Sequence, residues 1–238
     1  ESPINPTLRV IDVAAVAHAC RVAGVLSVMD NTFACPLNQP VLAMGVDLSM
    51  QSVTKYLNGH SDVIGGVLSG RAGLIGRLAK TRRLLGGILD PQPAYALGRG
   101  MKTLTLRVAR HNETALALAQ ALEGHPALAA VHYPGLASHP DHVIAKAQMS
   151  GFGGMVCIDL AGGQAAAFRA FDRLQLFQRA ASLGGVASLC SRPILTSQFG
   201  LSDEALAKAG GTRGMMRLSV GLEDAVDLIA DVKQAIEG

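Results

Sequence analysis

The 238 residues suffice for one large domain or two smaller ones around a sizeable core. Apolar residues make up 49%, charged residues only 16%, the net charge is +3 and tryptophan is absent, so deep burial with a subunit interface is expected and a stacking platform for nucleic acid is not. No apolar run reaches the roughly 18 residues of a membrane span. The four cysteines (Cys20, Cys35, Cys157, Cys190) lie far apart without a CxxC pair, which points to a reduced, cytoplasmic protein rather than a disulfide framework or zinc site.

Residues 1–7 carry no initiator methionine and no targeting pattern, and the chain is expected to be a carboxyl-terminal piece of something longer. Helical spacing over 11–23 (Val13, Val16, Ala17, Cys20) precedes a strand over 25–29 that ends at Asp30. A short helix is expected to close at Leu42 to Gly45, followed by strands over 47–51 and 63–69. This alternation predicts an α/β unit with a mostly parallel sheet, where ligands gather beyond the carboxyl ends of strands. Asp30 and Lys55 occupy such ends. The pattern then turns helical from Gly73 to Glu123, including a long helix through Leu104, Val108, Leu116, Leu118 and Leu122. Its basic residues, from Lys80 to Arg110, read as solvated faces. Beyond His125-Pro126, strands are predicted over 129–133, 154–160, 179–183 and 215–220, and helices over 142–149, 163–171 and 223–236. The division is an α/β domain over 1–106 and a smaller α+β domain with its connecting helix over 107–238.

The segment Gln51-Ser52-Val53-Thr54-Lys55-Tyr56-Leu57-Asn58-Gly59-His60-Ser61-Asp62 carries the strongest chemical signal. Its lysine follows two hydroxyl side chains at the end of a buried strand. An amine so placed suits a Schiff base with a phosphorylated aldehyde, the hydroxyls taking the phosphate; pyridoxal phosphate (PLP) is the obvious candidate. A solvated loop lysine is the alternative, and desolvation that lowers the amine pKa would separate the two. Asp30 reads either as a turn aspartate or as the partner of a protonated pyridine nitrogen. Arg217 lies between Met216 and Leu218, so alternation turns it either inward or to solvent. His60 reads as a brace for the turn, Cys35 as a buried small hydrophobe, and the remaining histidines lack metal-site spacing.

The lysine segment resembles the Cys/Met-metabolism (trans-sulfuration) branch of fold-type I PLP enzymes. So do Glu1-Ser2-Pro3-Ile4-Asn5-Pro6, Val28-Met29-Asp30-Asn31-Thr32-Phe33, Ser138-His139-Pro140, Gly151-Phe152-Gly153-Gly154, Ser182-Leu183-Gly184-Gly185 and Arg217-Leu218-Ser219-Val220-Gly221-Leu222-Glu223-Asp224. The resemblance runs through essentially the whole chain in order. It implies Lys55 as cofactor anchor and proton shuttle, Asp30 on the ring nitrogen, Ser52 and Thr54 on the phosphate and Asn5 near the phenolic oxygen. It also implies Arg217 on the substrate α-carboxylate, with Ser182 and Asn5 beside it. A planar guanidinium suits that last task, giving two parallel charge-assisted bonds.

The implied activity is elimination or replacement at the γ (or β) carbon of a sulfur amino acid or activated homoserine, of the cystathionine γ-synthase or γ-lyase kind. Methionine γ-lyase or O-acylhomoserine sulfhydrylase chemistry is the alternative within enzymes, and a non-catalytic partner subunit of the same fold is the alternative outside them. Family members are longer on the amino-terminal side, so a missing amino-terminal segment or a neighbouring subunit is expected to complete the site, in a homo-oligomer that pairs dimers into tetramers. Ala187 stands where many relatives carry glutamate, and Arg192 to Gln198 departs from the family's His-Pro…Thr-His element. Both changes bear on the distal substrate pocket.

Overall fold

A computed structural model describes residues 1–238. Two sheets organise it. The first contains β1 (Val28–Asp30), β2 (Leu48–Ser52) and β3 (Gly66–Gly70), in that order; β1 runs parallel to β2, and β3 is antiparallel to it. Helix α1 (Val13–Val22) precedes the sheet, with its first turn closed by the Asp12 carboxylate, which accepts from the Ala15 N–H at 2.9 Å. The four-residue α2 (Cys35–Asn38) lies between β1 and β2, while α3 (Ala72–Leu85) and α4 (Pro91–Met101) follow β3. The long α5 (Leu104–Leu122) then leads into the second half.

The second sheet has the order β4–β5–β8–β7–β6, built from β4 (Leu128–His132), β5 (Met155–Leu160), β6 (Gln178–Arg179), β7 (Leu189–Ser191) and β8 (Met215–Ser219). All its pairs are antiparallel except β6 with β7. Helices α6 (His142–Gln148), α7 (Gly163–Arg173), α8 (Asp203–Lys208) and α9 (Ala225–Ile236) complete the chain. None of the helices is long and apolar enough to cross a membrane.

Every residue of β5 and β8 is buried, because both faces of the sheet are covered. Val156, Ile158, Met216 and Leu218 pack with Leu118 and Leu122 of α5, Ala167 and Ala170 of α7 and Leu228 and Val232 of α9. The alternate residues Met155, Cys157 and Met215 face Val53, Tyr56 and Leu57 of the lysine segment, together with Leu104 and Val108 at the start of α5. The period-two side-chain alternation of a strand therefore sends odd-numbered Arg217 to the same side as Met215, toward the lysine.

Three sequence expectations are corrected. The strand over 179–183 shrinks to Gln178–Arg179, and the paired strand is β7. The intervening loop is drawn back to the lysine segment instead: Gly184 adopts φ +71°, and a Cβ there would lie 2.9 Å from the Tyr56 backbone nitrogen. Residues 41–45 form a turn rather than a helix end; only a few residues separate Pro40 from β2, and Val46 N–H donates back to the Val41 carbonyl at 3.2 Å. The strand over 63–69 begins only at Gly66, since Val53 N–H takes the Gly65 carbonyl at 3.0 Å as the lysine turn starts.

The amino-terminal stretch is tied down by one carboxylate. Buried Asp141 accepts from Arg9 Nε at 2.6 Å, Arg9 Nη2 at 3.0 Å and the Val10 N–H at 2.8 Å. Those hydrogen bonds, chiefly the ones from Arg9, hold the Asp141 carboxyl below the ordinary carboxylate range. A depressed pKa contributes stability above the unfolded-state value near 4 that is lost as the pH falls through the folded-state value. Asp141→Ala is expected to cost about 2 kcal/mol at pH 7, lowering Tm by about 4–8 °C. The difference between variant and parent should close below about pH 4, as thermal melts across pH will show.

Candidate active site

The site is assembled where the carboxyl ends of β1 and β2 meet the inner face of β8. Asp30 is the last residue of β1, and its Oδ1 accepts from the Thr32 N–H at 2.9 Å. Next to it, buried Asn31 donates to the Gln39 carbonyl at 2.8 Å and accepts from Gln39 Nε2 at 3.2 Å, which fixes the direction in which β1 ends. Ser52 closes β2, and its N–H donates to Thr32 Oγ1 at 2.9 Å, joining the two strand ends.

Lys55 comes three residues beyond Ser52, in a turn held by Lys55 N–H to the Ser52 carbonyl at 3.3 Å and Gly59 N–H to the Lys55 carbonyl at 2.8 Å. His60 supports that turn, its Nδ1 donating to the Asn58 carbonyl at 2.7 Å. Lys55 Nζ donates to Ser182 Oγ at 3.0 Å. Burial, and secondly the positive charge of Arg217, lowers the lysine pKa, so the neutral nucleophilic amine is more accessible than in water.

Arg217 is the buried cation of the site, only 5% exposed. Nη1 donates to Asn5 Oδ1 at 2.9 Å and Nη2 to the Ala181 carbonyl at 2.7 Å, while Nε is buried without a partner. It forms no ion pair with any carboxylate of the chain. A guanidinium desolvated in this way, with an N–H left over, matches an anionic ligand.

These groups share one cavity of about 290 Å³, lined by Asn5, Asp30, Ser52, Lys55 and Arg217 among the residues singled out from sequence. Ser182 joins through its bond to Lys55 rather than to Arg217. Thr54 stays outside the lining: its hydroxyl accepts from the Gly65 N–H at 3.1 Å and faces the Gly65 carbonyl at 3.4 Å. The cavity also takes in Glu1, Thr32 and Phe33, which sequence reasoning did not select, and Thr196 and Ser197 of the 192–198 segment that the resemblance associates with the distal substrate pocket. Thr32 had a usable signal, its hydroxyl two residues beyond the strand-end aspartate; Glu1 reaches the cavity only through tertiary packing. Cys35 is buried off the lining, its thiol pushed up to about 11 chiefly by that burial, so it stays protonated near neutrality. No group of three or more His, Cys, Asp or Glu residues is arranged to hold a metal ion.

The cavity's donor set fits PLP. A partly buried lysine amine could answer its aldehyde, the Asp30 carboxylate a protonated ring nitrogen, and the Ser52 hydroxyl at the end of β2 its phosphate. Comparisons with known proteins agree. The family model described as "Cys/Met metabolism PLP-dependent enzyme" matches residues 1–237. Cystathionine gamma-synthase 1, chloroplastic, of Nicotiana tabacum is 45% identical over the whole of this chain, which spans 44% of that protein. L-methionine gamma-lyase of Pseudomonas putida is 44% identical, again over the whole chain and 60% of the relative. A crystal structure of cystathionine gamma synthase from Xanthomonas oryzae pv. oryzae, in complex with aminoacrylate and cysteine, superposes with a TM-score of 0.96 at 42% identity, covering 99% of this chain and 61% of that one. The chain thus spans about half the length of the relatives it matches. Sequence, fold and site geometry agree, and the chain belongs to the Cys/Met metabolism family of PLP-dependent enzymes.

Proposed function

We propose that this chain carries the cofactor-anchoring and carboxylate-binding part of an enzyme that eliminates or replaces a substituent at the γ (or β) carbon of a sulfur amino acid or activated homoserine. The observation that carries the reading is the convergence of Lys55, Asp30 and Arg217 on one cavity. When bound, PLP supplies an aldehyde with which an amine condenses and a protonated ring that withdraws electrons from the substrate Cα. Lys55 would hold that aldehyde at rest. Released from it, the Lys55 amine would take the Cα proton as general base and, for γ chemistry, move a proton at Cβ so that the γ substituent departs. Ser182 aims the amine. Asp30 would keep the ring nitrogen protonated through a charge-assisted hydrogen bond.

Arg217 would receive the substrate carboxylate in a bidentate pair, with Asn5 and Ala181 holding the guanidinium plane in place. Cavity closure against water would come from the packed loop that carries Leu183, which is buried against the lysine segment. The similarity to both cystathionine- and methionine-acting relatives supports the reaction class while leaving the side chain of the substrate to experiment. Ala187, in place of an acidic residue, favours substrates without a distal ammonium group, such as methionine or an O-acylhomoserine.

Two measurements test this reading. The purified protein loaded with PLP is expected to show a visible absorption band that Lys55→Ala abolishes; a colourless parent protein would favour a non-catalytic partner of the same fold. Arg217→Met, by removing a charge-assisted pair worth about 2 kcal/mol or more, should raise KM for every amino-acid substrate about thirtyfold while leaving the band in place. Steady-state comparison of cystathionine, methionine and an O-acylhomoserine will rank the substrates. A strong preference for cystathionine counts against the role given to Ala187.

A further inference from the structure

Arg107, near the start of α5, is 3% exposed and forms no ion pair with a carboxylate. All its hydrogen bonds go to neutral oxygens. Nη1 donates to the Tyr56 carbonyl at 2.8 Å, Nη2 to the Gly100 carbonyl at 2.9 Å and the Leu57 carbonyl at 3.4 Å, and Nε to Thr103 Oγ1 at 3.0 Å. Two of the four acceptors therefore belong to the residues directly after Lys55, and the other two to the junction of α4 and α5. Burying a guanidinium without a counter-charge is costly, so helix packing alone is a poor explanation for its presence.

The surroundings are shaped to admit it. A Cβ on Gly59, whose φ is +76°, would come within 2.2 Å of Arg107 Nη1, and one on Gly100 would come within 2.4 Å of the Asn58 carbonyl oxygen. Both glycines let backbone and guanidinium meet at distances that any side chain would block. Tyr56 is held from two further directions: its hydroxyl accepts from the Gly154 N–H at 3.1 Å, and its ring meets His111 edge-on with centroids 5.4 Å apart. Lys55 is thus the flexible side chain on a backbone that is immobilised on its carboxyl side.

We propose that Arg107 is a positioning residue for Lys55: by clamping the Tyr56 and Leu57 carbonyls to the α4–α5 junction it sets where the lysine amine stands in the cavity. The proposal rests on Lys55 as the cofactor anchor, and it assigns to a residue remote from the cavity lining the control of the proton-transfer geometry. Loss of the clamp affects the chemical step more than substrate capture, because the Arg217 guanidinium proposed to take the carboxylate is held by Asn5 and Ala181, which the clamp does not touch.

The experiment compares the parent with Arg107→Met and Arg107→Lys, and with Arg110→Met as a control on the partly exposed face of the same helix. In the cofactor-free proteins, Arg107→Met is expected to speed amide hydrogen exchange at Asn58 and Gly59 at least tenfold, with the β5 and β8 amides unchanged. In the PLP-loaded proteins it should shift the pH midpoint of the visible band and lower kcat at least tenfold with KM within about twofold; Arg107→Lys should recover part of both. Should Arg107→Met fail to fold, Arg107→Lys decides by the same readouts, with smaller changes expected. The proposal is overturned if the Arg107 variants lose thermal stability alone, keeping parental kcat, band midpoint and local exchange. A parent protein without a band, but with the exchange effect present, would refute the cofactor-anchor reading and leave the clamp standing as a purely structural device.

Discussion

Two hydrogen bonds from Arg217 join three stretches of chain: Asn5 near the amino terminus, the loop carrying Ala181, and β8 itself. The cost of placing a guanidinium on the inner face of a strand buried on both sides is met only in part within the chain, since Nε remains without an acceptor. An unpaired cation in such a place raises the affinity of the cavity for anions and adds to burial, the larger cause, in lowering the pKa of the lysine facing it. Arg217 therefore couples the electrostatics of Lys55 to that of the rest of the cavity.

The lysine side of the site is organised differently. There the backbone, more than the charge, is constrained: turn hydrogen bonds before Lys55, the Arg107 guanidinium behind it, and close contacts at Gly59 and Gly100. Long α5 contributes to both arrangements. Its first turns pack against the lysine segment and its later turns against the second sheet, so the helix transmits the position of one to the other.

Much of this is written locally and is legible without coordinates. Lys55 and Ser52 stand out because their chemistry follows directly on a strand end; Asp30 and Arg217 each read two ways from their neighbours, and it is the family resemblance that draws them into the site. Thr54 sits off the cavity lining because adjacent residues leave a turn in different directions: its hydroxyl ends on Gly65, while Thr32, from the neighbouring strand, lines the cavity. Residues 179–183 show strand-like composition, yet their backbone is claimed by tertiary contacts around Ser182 and Gly184, and the true strand, β7, is too short to display a period. Arg107 is hidden for the opposite reason. Within a helical repeat it looks like one more solvated basic residue, and only the fold reveals that two of its four partners are carbonyls about fifty positions earlier.

Those long separations have a consequence for biosynthesis. Asn5 meets Arg217 across 212 positions, and Arg9 meets Asp141 across 132. At elongation rates of roughly 5–20 residues per second, the ribosome delivers the later partner about 10–40 s after the earlier one in the first case and about 7–26 s in the second. The Asn5 and Arg9 contacts therefore form late in synthesis, whereas Gln39, only 37 positions after Ser2, can hold the Ser2 carbonyl well before them.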